Sequence, residues 1–180
     1  MKVINWDLID EAGQGVDRLP AGGYVARITA VEDVPGSEYL WCEYDIAEGE
    51  HAGHYAGVRD MPYVHRFSRS YKEAAQRFFK SFLTALEQSN RGRFSVAQWQ
   101  AAGCDEQAFV GLEIGIVVQD EQYTNTKGED KTRQNVEGIY ATQDIRNGDY
   151  TVPAPKDTRV KVPAAPAAPA WAPADEAVPF

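Results

Sequence analysis

The chain has 180 residues, 43% of them hydrophobic, and its 18 Lys and Arg stand against 27 Asp and Glu for a formal net charge of -9. That length suits one compact domain with appendages, and the apolar fraction suffices for a core. No apolar run approaches the roughly 18 to 20 residues of a membrane span, the first residues lack a signal-peptide segment, and Cys42 and Cys104 stand far apart without the spacing of a disulfide framework or zinc module.

Residues 1–20 carry scattered apolar side chains broken by Gly13 and Gly15, and read as an arm packed on the domain. After Pro20, Gly22 and Gly23, the stretch from Tyr24 to Val34 alternates as a first strand, with Tyr24, Ala26, Ile28 and Ala30 on one face. Pro35-Gly36-Ser37 turns the chain. The run from Glu38 to Ala47 then sends Leu40, Cys42, Tyr44 and Ile46 one way and Tyr39, Trp41, Glu43 and Asp45 the other. This second strand has a wet face that bears aromatics.

A third strand is predicted over Tyr55 to Phe67, bent at Gly57 and Pro62. Ser70 followed by Glu73 reads as a capping box opening a helix from about Ser70 to Ser89, with Tyr71, Ala75, Phe78, Phe82 and Leu86 at helical spacing. A short helix is predicted over Val96 to Ala102. Val110, Leu112, Ile114, Ile116 and Val118 alternate as a fourth strand, Asn125 to Gly128 turns, and Lys131 to Thr142 returns as a fifth. Beyond Ile145 the periodicity is lost.

The charge is segregated. From His54 to Arg93 there are eight basic residues against three acidic ones, a net of +5, while residues 1–53 carry three against eleven. A protein arranged in this way is expected to meet a polyanion through one face while its other faces repel it.

Three strands, a helix and two strands is an order that resembles the OB-fold, a five-stranded Greek-key barrel whose ligand face is built by strands two and three and by the loops joining strands one to two and four to five. The expected class is therefore mainly β, with one major helix between strands three and four. The basic and aromatic residues fall where that ligand face belongs. Tyr39 and Trp41 lie on strand two; Arg59, Tyr63, Arg66, Phe67, Arg69 and Lys72 lie in and after strand three; Tyr123, Lys127, Lys131 and Arg133 mark the last hairpin. Aromatic rings that stack on bases beside cations that follow phosphates are the equipment of single-stranded nucleic-acid binding, and neither contact reads sequence. Other roles for these side chains are packing for Tyr63 and Phe67, cover for Trp41, and pairing with local carboxylates for Arg59 and Arg66.

The block Phe67-Ser-Arg-Ser-Tyr71-Lys72, with Pro20-Ala-Gly-Gly-Tyr24 and Tyr44-Asp-Ile-Ala-Glu-Gly49, resembles a phage and prophage family associated with recombination and regarded as single-stranded DNA-binding. That likeness spans residues 20–150. The chain's end carries a second one. Residues 151–174 are rich in Ala and Pro, a composition that cannot build a core and serves as a disordered tether. The last six residues place Asp175 and Glu176 before Val178, Pro179 and Phe180, and this end resembles the acidic Pro-Phe tip through which bacterial single-stranded DNA-binding proteins recruit replication and repair enzymes. The resemblance implies that residues 175–180 bind partner enzymes while residues 21–150 bind DNA.

Catalytic chemistry finds no support. There is no Walker A, GxSxG or Cys-His-Asn pattern, His51, His54 and His65 complete no metal site with Cys42, and carboxylate pairs such as Glu32-Asp33 read as solvated surface. The expectation is a non-enzymatic, cofactor-free, cytoplasmic protein that coats single-stranded DNA and recruits enzymes of replication, recombination and repair through its tip. The alternative is an OB-like scaffold of such a complex that does not touch DNA. A metal-dependent nuclease ranks third, and the number of copies in an assembly stays open.

Overall fold

A computed structural model describes residues 17–58 and 62–159. Six strands form one sheet: β1 (Gly22–Val34), β2 (Tyr39–Ile46), β3 (Arg66–Ser70), β4 (Glu113–Thr124), β5 (Asp130–Tyr140) and β6 (Lys156–Thr158). The main helix, α1 (Gln76–Ser89), and the short α2 (Val96–Ala101) lie between β3 and β4, and α3 (Thr142–Asn147) follows β5. The described residues are thus mainly β with one major helix. Neighbouring strands are antiparallel in the order β3, β2, β1, β4, β5, and β6 pairs parallel with β4.

The alternation of β2 translates directly into packing. Leu40, Cys42, Tyr44 and Ile46 are buried, and the residues between them are half-buried. They meet Ala26 and Ile28 of β1, Phe67 of β3, and Ile114, Ile116 and Val118 of β4 in one core. α1 closes this core with Phe82, Leu83 and Leu86, and Phe109 joins Phe82 at a ring separation of 5.7 Å. The free edges of β3 and β5 approach within 8 Å between Cα atoms but do not pair.

β4 is buried on both faces, which explains its near-continuous apolar run. Its second face is covered by α3, which crosses so closely that a Cβ on Gly115 would meet Ile145 Cγ1 at 2.6 Å. Farther along, β1 has ended and β6 takes its place beside Glu121 to Tyr123.

The structure corrects several predicted elements. Ser70 does not cap the helix: it ends β3 opposite Tyr39, its hydroxyl donates to the Glu38 carbonyl at 3.2 Å, and α1 starts only at Gln76 after a 3-10 turn over Glu73–Ala75. Within the predicted third strand, residues 55–57 are turns and Pro62–His65 is a 3-10 segment, and β3 starts only at Arg66. There Asp45 competes with ladder pairing, its Oδ1 accepting from both the Ile46 and Tyr55 amides at 2.8 Å. β4 reaches Thr124 rather than Val118, because polar residues continue a hairpin that leaves the core. The featureless stretch after Ile145 instead includes part of α3 and all of β6, elements too short for a periodic signal. Of the N-terminal arm only residues 17–20 are described; Leu19 is buried, and its amide donates to Gln134 Oε1 at 3.0 Å.

Candidate nucleic-acid interface

Where the edges of β3 and β5 diverge, a groove of about 520 Å³ opens, walled by β2, β3 and the Pro62–His65 turn on one side and by β4 and β5 on the other. Trp41, Tyr63, Arg66, Tyr123 and Arg133 line it together. They come from four separated segments and meet because the sheet bends back on itself.

One wall is set by strand register. Trp41 sits opposite Ser68, and Glu43 opposite Arg66, so Trp41 and Arg66 are diagonal neighbours on the outer face. Such neighbours are within reach of long side chains, and the Arg66 guanidinium lies 4.1 Å from the centre of the Trp41 ring. Tyr39 meets Trp41 edge-on at 5.3 Å. Tyr63 stands beside them, 62% exposed, on the 3-10 turn.

The other wall repeats the pairing. Arg133 lies 4.9 Å from the centre of the Tyr123 ring, and its Nε donates to Glu121 Oε2 at 2.8 Å. The same carboxylate accepts from Asn135 Nδ2 and, through Oε1, from the Thr158 hydroxyl at 2.9 Å. These donors, Arg133 first, hold the Glu121 carboxyl below the usual glutamate range against the opposing effect of burial. At the groove margin Gln134 exchanges hydrogen bonds with the Leu19 backbone.

His65 lies beneath the groove, stacked on Tyr55 at 5.0 Å and only 6% exposed, with its Nδ1 unpartnered among the described residues. Burial holds its pKa below the ordinary histidine value, so the ring is neutral at pH 7.

The other sequence-derived residues lie elsewhere. Phe67 is 4% exposed and packs on Tyr44 and Phe82, so the core accounts for it and it offers no ring to a base. Arg69 is carried on the core-facing side of β3, over Phe67 at 4.7 Å, and burial brings its guanidinium down to about 10, still charged at neutral pH. Lys72 is exposed just ahead of α1. Lys127 sits at the tip of the β4–β5 hairpin, and Lys131 pairs with Glu129 at 3.3 Å. Arg59 and the C-terminal residues Asp175, Glu176, Val178, Pro179 and Phe180 lie outside the described residues.

Sequence reasoning missed Arg18, Tyr55, Thr132, Gln134 and Asn135, which also border the groove. The period-two pattern of β5 placed Asn135 on the face of Arg133, whereas nothing local marked Arg18 or Tyr55.

A second, more open concavity of about 440 Å³ is bordered by Gly23, Tyr24, Glu48, His51, Arg146 and Tyr150. Its charges satisfy each other, Arg146 donating to both Glu48 oxygens. Among the described residues no three His, Cys, Asp or Glu side chains cluster to hold a metal, and no helix is long and apolar enough to cross a membrane. No family model and no curated protein matches the chain.

Proposed function

We propose that the protein binds single-stranded DNA without sequence preference and serves replication, recombination or repair. The observation that carries this reading is the facing of two arginine-on-aromatic pairs, Arg66 on Trp41 and Arg133 on Tyr123, across one groove. A ring offers a surface for a base, worth about 1 to 3 kcal/mol per stacked base, and the cation beside it meets the phosphate. The strand order with an unpaired seam between β3 and β5 agrees with an OB barrel opened at its ligand face.

Indifference to sequence is supported by the rings, whose faces accept any base, and by the carboxamides at the groove, since Gln134 is bonded to Leu19 and Asn135 to Glu121. Under this reading the C-terminal tip, residues 175–180, recruits partner enzymes: Phe180 enters an apolar pocket, and the carboxylates meet a basic rim. β6 leads the chain toward that tail from the side of the hairpin, where Arg159 lies 3.9 Å from Asp130.

Anisotropy of a labelled oligo(dT) tests the proposal. Binding that weakens steeply with salt is expected, and its absence at low salt overturns the reading in favour of a scaffold that never touches DNA. Deleting residues 175–180 is expected to leave DNA affinity equal or slightly higher.

A further inference from the structure

The exposed face of α1 is the second place where cations gather around an unburied ring. Between residues 72 and 93 the chain carries Lys72, Arg77, Lys80, Arg91 and Arg93 against only Glu73 and Glu87. Glu87 is turned away to accept the Val96 amide at 2.9 Å. Among the described residues none of these five cations forms an ion pair within 4 Å, in contrast to Arg27, Arg133, Arg146 and Lys156 elsewhere. Arg77 and Lys80 lie on the outer stripe of the helix with Ser81 and Thr84, and Arg91 is exposed in the turn that follows α1.

Phe78 flanks this face, 60% exposed, with the Arg77 guanidinium 4.6 Å from its ring centre. Phe78 and Tyr63 are the exposed large aromatics among the described residues. Tyr63 lines the groove; Phe78 has no such account. The helix already has Phe79, Phe82 and Leu86 for its inward side, so the core does not explain Phe78.

Charge and nearness argue for the occupant. α1 packs its inward side against both β3 and β5, the two strands that flank the groove, and it begins shortly after β3 ends, so its unpaired cations belong to the element next to the groove. A second copy of the chain is disfavoured there, since two like-charged faces repel.

We infer that the α1 face is a second contact zone for the same DNA strand, in which Arg77, Lys80 and Arg91 hold phosphates and Phe78 stacks a base beyond the groove. The inference rests on the proposed single-strand binding. It makes the occupied length of DNA longer than the groove alone accounts for.

The experiment uses the full chain and its triple variant Arg77→Gln, Lys80→Gln, Arg91→Gln, titrated with oligo(dT) of about 8 and about 20 nucleotides, lengths chosen around the ~4 to 16 nucleotides that one OB fold covers. DNA is kept in excess, and circular dichroism checks the helix. The 8-mer affinity is expected to stay within about twofold, while the salt slope for the 20-mer becomes shallower by about 2, because each phosphate contact on a single strand contributes roughly 0.7. Phe78→Ser is expected to weaken the 20-mer alone.

Failure of the wild-type chain to bind either oligomer overturns single-strand binding itself, and this inference with it. If the wild type binds both but the triple variant is unchanged, or loses both equally, the α1 contact alone is overturned. If the 20-mer is unaffected and the substitutions instead erase a difference between the full chain and one lacking residues 175–180, the face holds the chain's own acidic end, and the inference is likewise overturned.

Discussion

Arg133 is held over Tyr123 by the carboxylate of Glu121, which it meets at 2.8 Å, and that carboxylate is also the point where β6 is fastened through Thr158. One buried glutamate thus sets the position of a groove cation and the root of the C-terminal tail. Replacing it with glutamine keeps the shape and removes the charge. Glu121→Gln is expected to cost about 1 to 3 kcal/mol at pH 7, the range for losing charge-assisted hydrogen bonds, measured by urea unfolding.

The pH dependence of that difference has a definite sign. The folded-state pKa of Glu121 is depressed, Arg133 being the largest cause, so its contribution is complete above the ordinary glutamate range and disappears as pH falls through the lower folded value. The gap between wild type and Glu121→Gln is therefore expected to close on acidification. A gap that stayed constant would show that the charge plays no part.

Trp41 and Arg66 make different contributions to one wall of the groove. Trp41→Ala is expected to weaken oligo(dT) binding by about 1 to 3 kcal/mol with little change in salt dependence, the signature of a lost stacking surface. Arg66→Ala is expected to make the salt slope shallower by about 0.7, as for one lost phosphate contact. Equal effects of both on affinity and slope would contradict this division.

The sequence shows strands where one face is dry and the other wet, which is why β1 and β2 are legible and why Trp41 could be assigned to an outer face, whereas the first half of β4 is legible through its apolar run although both its faces are buried. It misleads where polar side chains redirect the backbone. Ser70 has the chemistry of a helix cap, but a ladder partner in Tyr39 and an acceptor in Glu38 hold it in β3. Phe67 and Arg69 look like Trp41 and Arg66 in a linear reading, yet they alternate to the inner face, because Phe67 pairs with the buried Cys42 and Arg69 with the buried Leu40, while Arg66 and Ser68 take the other face. The groove depends on β5 folding back toward β3, a long-range relationship with no local signature, and so Arg18 and Tyr55 could not be found.

The two thiols are chemically unequal. Cys42 lies in the core, and burial pushes its thiol up to about 12, leaving almost no thiolate at neutral pH. Cys104 is exposed in the loop after α2. Iodoacetamide on the folded protein is expected to alkylate Cys104 and spare Cys42 until denaturant is added, with peptide mass spectrometry as the readout. Rapid modification of Cys42 under native conditions would mean that the β2 core opens readily.

The segment after α3 is fastened to the back of the sheet at a position that admits no side chain. A Cβ on Gly23 would lie 2.6 to 2.8 Å from three atoms of the Tyr150 ring, closer than van der Waals contact permits. Gly23→Ala is therefore expected to destabilise the fold by about 1 to 3 kcal/mol, the usual cost of overpacking. At Gly115 the obstruction includes the Ala141 carbonyl at 2.9 Å as well as Ile145, and backbone yields less readily than a ring at the surface. Gly115→Ala is expected to cost more. The comparison that isolates the cause is a double-mutant cycle: Tyr150→Ala removes the ring that Gly23→Ala strikes, so the double variant is expected to be more stable than the sum of the two single losses allows. Strict additivity in thermal or urea unfolding would show that the segment does not press on β1 in solution.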